Sequence, residues 1–363
     1  MTAPACARLV VPPGPEGAEV AAAAWLRACA GEVVELATSP GTAPAGGAGP
    51  ALVMSTSGST GEPRRVVLPI GALRASASAG STRLGEPGTW LSAVPVTGVG
   101  GLLTVIRTLT AGSSPVALPS LGGARPFTAE LFAAAPDADF VSLVPTQVHR
   151  ILASRRATRR LADFRAVLVG GARLAPELRA RALDAGVRLV ATYGATETGG
   201  GVVYDGIPLP GVTVRITEET GEISLGGPTI AAGYLDDVNS SRFEHGTFRT
   251  GDAGRWVDGR LTVSGRLDDT IKVGGEKVSL AAVTRVLQSD IRVLDAAVVA
   301  RDSPEWGQVP VAYVVPADDP SPELMAELMD VVTVALGARS RPHTMTLVSE
   351  LPTTAAGKPL RRG

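Results

Sequence analysis

Apolar and polar positions along the chain follow two different periods. From Glu16 to Ala30 apolar residues, most of them alanine, recur at helical spacing, and the pattern predicts a helix. Thr38 to Pro50 is Pro, Gly and small residues, which reads as a loop or a series of turns. Ala51 to Met54 is a short continuous apolar run, the pattern of a buried strand, and it leads directly into Ser55-Thr56-Ser57-Gly58-Ser59-Thr60-Gly61-Glu62-Pro63-Arg64-Arg65. In the middle of the chain, strand-like runs at Phe140–Val144, Ala166–Val169 and Arg188–Ala191 alternate with helix-like runs at Pro145–Ser154 and Pro176–Ala185. That alternation predicts a parallel sheet covered on both faces.

After Tyr193 the pattern shortens. Residues 202–265 hold small β-like pieces at Val212–Ile216, Gly221–Leu225, Arg255–Val257 and Leu261–Ser264, divided by turn residues. From Leu267 a third pattern begins, with helix predicted over Val278–Leu287, strands over Ala296–Ala300 and Val309–Val315, and an amphipathic helix over Ser321–Leu336. The expected fold is α/β. A large N-terminal domain (1–266) of sheets covered by helices, with a small β-barrel-like subdomain, precedes a small mobile α+β C-terminal domain (267–363).

Composition narrows the classes. A chain of 363 residues suggests two domains or three, and 34 Lys+Arg against 35 Asp+Glu argues against a nucleic-acid partner. With 45% hydrophobic and 19% charged residues the chain can build a large core. The 43 glycines and 28 prolines show no three-residue period, so the chain is loop-rich and globular rather than collagenous. Cys6 and Cys29 make no disulfide framework and are too few for a zinc site, and His149, His245 and His343 are scattered. The apolar run Val20–Leu26 is far shorter than the roughly 20 residues of a membrane span and lacks a basic leader, so neither a span nor a signal peptide is expected. The expected compartment is the reducing cytoplasm. The oligomeric state is not readable, and a homodimer is compatible with the sequence.

Four segments carry chemistry. Thr56-Ser57-Gly58-Ser59-Thr60-Gly61 packs hydroxyls and glycines densely enough to expose backbone N–H groups to phosphate oxygens, and Arg64 follows with positive charge. No Gly-Lys-Ser/Thr follows, so it is not a P-loop. In Ala191-Thr192-Tyr193-Gly194-Ala195-Thr196-Glu197, Tyr193 would stack on a flat base, Thr196 would donate to a phosphate and Glu197 would hold Mg²⁺. Asp252 of Arg249-Thr250-Gly251-Asp252 would accept both hydroxyls of a ribose, and Arg266 would point at ribose or phosphate. Lys358, in Pro352-Thr353-Thr354-Ala355-Ala356-Gly357-Lys358, alone reads as a solvated charge.

In order and spacing these segments resemble the acyl-adenylate-forming superfamily of acyl-CoA synthetases, peptide-synthetase adenylation domains and luciferases. Gly170-Gly171-Ala172 is similar to that family's adenine-contacting element. The segment Gly199-Gly200-Gly201-Val202-Val203-Tyr204-Asp205-Gly206, with a short stretch before the phosphate segment, resembles the o-succinylbenzoate–CoA ligases of menaquinone synthesis, most of all a short actinobacterial one. Two positions depart from the pattern: Pro63-Arg64-Arg65 stands for Pro-Lys-Gly, and Thr97 stands where relatives carry histidine.

The resemblance implies ATP, Mg²⁺ and coenzyme A as partners of a small-molecule carboxylate. It implies Lys358 at the α-phosphate, with Thr196 and residues 56–61 on phosphates. Gly171, Ala172, Tyr193, Gly194, Asp252 and Arg266 would surround adenine and ribose. It also implies a hinge at Asp268 that turns Lys272, Gly274 and Gly275 toward coenzyme A. The acyl pocket would draw on Thr97, Thr146, His149 and Gly199–Gly201. Adenylation of another aryl or fatty acid for coenzyme A or a carrier-protein thiol, and a non-catalytic nucleotide binder, are the competing readings.

Overall fold

The computed structural model describes residues 6–39, 49–57, 63–237, 240–267, 269–317, 319–349 and 351, in four sheets with helices packed on and between them. The first sheet runs Cys6–Val10, Val33–Ala37, Ala51–Ser57, Pro63–Pro69 and Gly233–Tyr234 in that spatial order, parallel over the first three strands and antiparallel after them. The helix over Glu16–Cys29 lies on it through Ala18, Ala21, Ala24, Trp25 and Ala28, which explains the alanine-rich run: small side chains let helix and sheet approach closely.

The second sheet has seven strands, in the order Ile207–Pro208, Gly200–Tyr204, Leu189–Ala195, Ala166–Val169, Phe140–Leu143, Trp90–Ser92 and Val116–Ala117. The five strands from Leu189–Ala195 to Val116–Ala117 are parallel; the alternation predicts the first three of them, and Trp90–Ser92 and Val116–Ala117 are additions. Helices Ile70–Leu84 and Val99–Thr110 lie between the first two sheets, and Leu73, Leu102, Leu103, Val105 and Ile106 are buried there. Gly200–Tyr204 and Ile207–Pro208 extend this sheet antiparallel, so the β-like texture begins inside the main sheet and not in the small β unit. The turn joining them holds Asp205 at φ 48° and Gly206 at φ 77°, the conformation that Asp-Gly favours in a two-residue hairpin.

Strands Thr213–Ile216, Glu222–Gly226, Thr247–Val257, Phe243–Glu244 and Arg260–Arg266 form the small β unit, all antiparallel. The described strands pair as an open sheet rather than a closed barrel. The last sheet, Glu276–Ser279, Thr270–Val273, Gly307–Pro316, Val293–Ser303 and Thr344–Leu347, is built from residues after 269 and carries helices Leu280–Gln288 and Leu324–Leu336. The first of these helices starts two residues later than the sequence predicts. Val278 belongs to a strand, and Ser279 caps the helix by accepting from Ala282 N–H at 3.2 Å. The second begins at Leu324, not Ser321. Among the described residues no helix is long and apolar enough to cross a membrane.

Candidate active site

In open α/β sheets a ligand crevice forms outside the carboxyl ends of the parallel strands. Here those ends gather several of the predicted groups. Gly170–Ala172 follows Ala166–Val169, Thr146 and His149 follow Phe140–Leu143, Thr97 follows Trp90–Ser92, and Thr196, Glu197 and Gly199–Gly201 follow or open strands at the end of Leu189–Ala195. Strand order reverses between Trp90–Ser92 and Phe140–Leu143, and Gln147 bridges that gap. Its Oε1 accepts from Val144 N–H at 3.0 Å and its Nε2 donates to Ala93 O at 2.9 Å. Nothing in the sequence distinguishes Gln147 from an ordinary helix residue.

The predicted ribose group is assembled. Tyr193 donates its hydroxyl to Asp252 Oδ2 at 2.8 Å, and Arg266 Nη1 lies 3.6 Å from Asp252 Oδ1 while donating to Thr250 O at 2.8 Å. Asp252 N–H donates to Thr250 Oγ1 at 3.0 Å, and Thr250, buried, donates to Ile223 O at 2.8 Å. Gly251, at φ 72°, lets the strand turn past Arg266; a Cβ there would stand 3.0 Å from Nη2. Burial raises the Tyr193 phenol far above its usual range and the neighbouring Asp252 charge raises it further, so the hydroxyl keeps its proton as a donor. The sequence casts Tyr193 as a stacking surface; the structure adds that it braces Asp252.

Glu197 sits in a short 3₁₀ turn, Thr196–Thr198. The turn is fixed from three sides: Thr198 Oγ1 accepts from Ala195 N–H at 2.8 Å, Ser76 donates to Gly199 O at 2.7 Å, and Ala231 N–H donates to Glu197 O at 2.9 Å. Glu197 Oε1 accepts from the Tyr234 hydroxyl at 2.9 Å. The Tyr234 phenol is pushed up to about 12, first by burial and then by the Glu197 charge. Among the described residues no three acidic, histidine or cysteine side chains cluster as a metal cage. One half-buried carboxylate fits magnesium, which commonly takes one or two carboxylates with substrate phosphates and waters.

Strands Ala51–Ser57 and Pro63–Pro69 pair with Thr56 opposite Arg64 and Ser57 opposite Pro63. Thr56 donates to Arg64 O at 3.3 Å. The Arg64 guanidinium lies 5.1 Å from the Tyr234 ring centroid, which ties this hairpin to Glu197 through one tyrosine. Arg65 pairs instead with Asp236, donating from Nε at 2.9 Å. Gly58, Ser59, Thr60 and Gly61 lie outside the described residues, as do Asp268 and Lys358.

Missing side chains define Gly194, of the predicted adenine and ribose group, and Gly200 and Gly201, of the predicted acyl pocket. A Cβ on Gly194 would stand 2.1 Å from Gly200 O, one on Gly200 (φ 101°) 2.5 Å from Leu103 Cδ1, and one on Gly201 3.0 Å from Thr192 Cβ. The adjoining Tyr204-Asp205 has a scaffolding role. Tyr204 accepts from the buried Arg107 at 2.9 Å, and Asp205 Oδ1 accepts from Arg179 at 2.7 Å and from Ala191 N–H at 3.0 Å.

Lys272, Gly274 and Gly275 form a hairpin in the last sheet, with φ 56° and 89° at the two glycines. Gly274 N–H donates to Trp306 O at 2.9 Å, and a Cβ at Gly274 would stand 2.9 Å from Trp306 Cε3. These neighbours belong to the last sheet and not to the crevice at Glu197.

Residues 11–235 match the family described as AMP-binding enzyme, and residues 284–358 match its C-terminal domain. A Mycobacterium tuberculosis protein named probable 2-succinylbenzoate–CoA ligase is 38% identical over 327 residues, 85% of this chain and 82% of that one. The o-succinylbenzoate CoA synthetase of Bacillus subtilis, solved with its acyl-adenylate intermediate, superposes with a TM-score of 0.70 at 26% identity over 85% of this chain and 68% of that one. An amide bond synthetase from Marinactinospora thermotolerans superposes with a TM-score of 0.72 at 26% identity over 90% of this chain and 74% of that one. With both segments of the family matched in order and a mycobacterial relative 38% identical over 85% of this chain, the chain belongs to the AMP-binding enzyme family.

Proposed function

We propose that the chain is an ATP-dependent, AMP-forming 2-succinylbenzoate–CoA ligase of menaquinone synthesis, working in the cytoplasm through an acyl-adenylate. The reading is carried by the 38% identity to the mycobacterial 2-succinylbenzoate–CoA ligase across 85% of this chain. The Tyr193–Asp252–Arg266 cluster beside Glu197 gives it a chemical basis.

A carboxylate is a poor electrophile for a thiol because it is already negative and its leaving group would be oxide. Attack of its oxygen on the α-phosphorus of ATP releases pyrophosphate and leaves a mixed anhydride whose leaving group is AMP. Charge accumulates on phosphate oxygens during this step, so catalysis is positioning and electrostatic stabilisation. In this reading Asp252, held by Tyr193, accepts the ribose hydroxyls, and Arg266 closes the same side. Thr196 and residues 56–61 donate to phosphates. Glu197 would hold magnesium, which when bound neutralises phosphate charge.

Lys358 is assigned to the α-phosphate, where losing one donor typically costs on the order of 3 kcal/mol, or 10²–10³-fold in rate. Lys358→Ala should then abolish adenylation while sparing transfer from preformed adenylate. The segment 267–363 is assigned as a lid turning about Asp268 to bring Lys272, Gly274 and Gly275 to the thiol in the second step. Gly199–Gly201 and Leu103, with Thr97, Thr146 and His149, are assigned to the acyl side.

Purified chain given o-succinylbenzoate, ATP and coenzyme A should form o-succinylbenzoyl-CoA with AMP and pyrophosphate. Preferential turnover of benzoates or fatty acids, or transfer only to a carrier-protein thiol, would reject this substrate assignment. The likeness to an amide bond synthetase favours one second reading, in which an amine takes the acyl group from the adenylate. Amide formation from an amine panel, with no thioester from coenzyme A, would select it.

A further inference from the structure

Strand Gly233–Tyr234 is two residues long and lies at the edge of the first sheet, with Tyr234 opposite Val66. Its tyrosine is 2% exposed and joins segments far apart in the chain. The hydroxyl donates to Glu197 Oε1 at 2.9 Å. One side of the ring environment is the Arg64 guanidinium, 5.1 Å from the centroid, and Phe243 meets the ring edge-on at 5.1 Å. Glu197 and Arg64 are the groups that flank the predicted phosphate site from the sheet end and from the hairpin base.

A glutamate has three rotatable bonds, and an unbraced one loses that freedom when a ligand arrives. A bond to a buried phenol takes that loss at folding, and it engages one carboxylate oxygen while leaving Oε2 for a cation. We propose that Tyr234 is a positioning residue for adenylation: its hydroxyl presets Glu197 for the cation bound with ATP, and its ring fixes Arg64 at a set distance from that carboxylate. The proposal rests on the reading of Glu197 as a magnesium ligand.

Tyr234→Phe removes the hydroxyl and keeps the ring against Arg64 and Phe243. Binding of Mn²⁺ to the protein saturated with a non-hydrolysable ATP analogue, followed by electron paramagnetic resonance, should weaken about tenfold in Tyr234→Phe, the effect of one hydrogen bond to a charged group. The Mg²⁺ concentration for half-maximal adenylation should rise by the same factor, with kcat at saturating Mg²⁺ within a few-fold of wild type. A packing defect would lower kcat at every Mg²⁺ concentration and overturn the proposal. Glu197→Gln should lose Mn²⁺ binding, and Tyr234→Phe added to it should cost nothing more. Wild-type Mn²⁺ binding in Tyr234→Phe alongside loss in Glu197→Gln overturns the role of Tyr234 alone. Wild-type Mn²⁺ binding in Glu197→Gln overturns the assignment of Glu197, and the proposal with it.

Discussion

Two walls meet at the end of strand Leu189–Ala195, and they are built in opposite ways. The wall assigned to the nucleotide is a chain of polar side chains holding one another: Tyr193 on Asp252, Arg266 beside it, Tyr234 on Glu197, Arg64 on Tyr234. The wall assigned to the acyl group is a place where side chains are absent: Gly200 and Gly201, with Gly194 of the nucleotide group against Gly200, let two strands and Leu103 approach within distances a Cβ would block. The first wall stores its specificity in bond directions and the second in shape. Substitutions in the first should therefore move constants for ATP, and substitutions in the second should move stability and constants for the acid.

The largest effect is expected at Gly194, where the obstructing atom is the backbone oxygen of Gly200 and cannot step aside. Gly194→Ala should separate the paired strands and destabilise the fold by roughly 3 kcal/mol, read as a fall in melting temperature. An unchanged melting temperature would mean that the two strands are not so closely held. Next, Asp252→Asn should reduce kcat/KM for ATP about 10²-fold, from two weakened charge-assisted bonds, with KM for the acid little changed. A larger effect on the acid than on ATP would erase the distinction between the walls. Gly200→Ala should do the converse. Leu103 is a side chain and can yield, so stability should fall by only about 1–2 kcal/mol while KM for the acid rises and KM for ATP holds.

Tyr193→Phe is the milder polar change, with about a tenfold loss in kcat/KM for ATP. The smallest effect is on pH behaviour. Tyr193 and Tyr234 both have raised values in the folded chain, so above pH of about 10 the unfolded chain releases protons that the folded chain retains. Their contribution is complete below that pH and is lost as pH rises beyond it. In an ultraviolet titration of the native protein, Tyr193 and Tyr234 should remain unionised at pH of about 10.5 and ionise once the chain is unfolded, read as a lower phenolate absorbance in Tyr193→Phe and Tyr234→Phe only for the unfolded chain.

In the parallel part of the main sheet, Ala166–Val169 is readable because it is buried throughout and appears as an unbroken apolar run, while Trp90–Ser92 and Val116–Ala117 are too short to show a pattern. Gly200–Tyr204 was not readable as part of the same sheet, since its opening glycines resemble a turn and only pairing with Leu189–Ala195 makes it a strand. Strands Cys6–Val10 and Val33–Ala37 carry no clear strand pattern, for another reason. Arg8 and Glu35 interrupt their apolar runs, and the two charges are opposite one another in the register and pair at 2.9 Å, an arrangement visible only in three dimensions.

At the candidate site, Asp252, Arg266 and Tyr193 stand out singly in the sequence, and their mutual bonding is visible only in the fold. Tyr234 carries no local signal at all, because its partner Glu197 lies 37 positions away and the connection is made by a two-residue strand on a different sheet. The Tyr-Asp-Gly segment that suggested the substrate has a local role of its own, in the hairpin turn and the buried bond to Arg107. Part of that resemblance thus reflects scaffolding rather than acid recognition.

The account depends most on acyl-adenylate formation at this crevice, and exchange of labelled pyrophosphate into ATP reads that step alone, without coenzyme A. The chain should exchange label when o-succinylbenzoate is added and not without it, and Asp252→Asn should sharply reduce the rate at fixed, subsaturating ATP. Binding of ATP with no exchange in the presence of o-succinylbenzoate or any acid of a broad panel would contradict it.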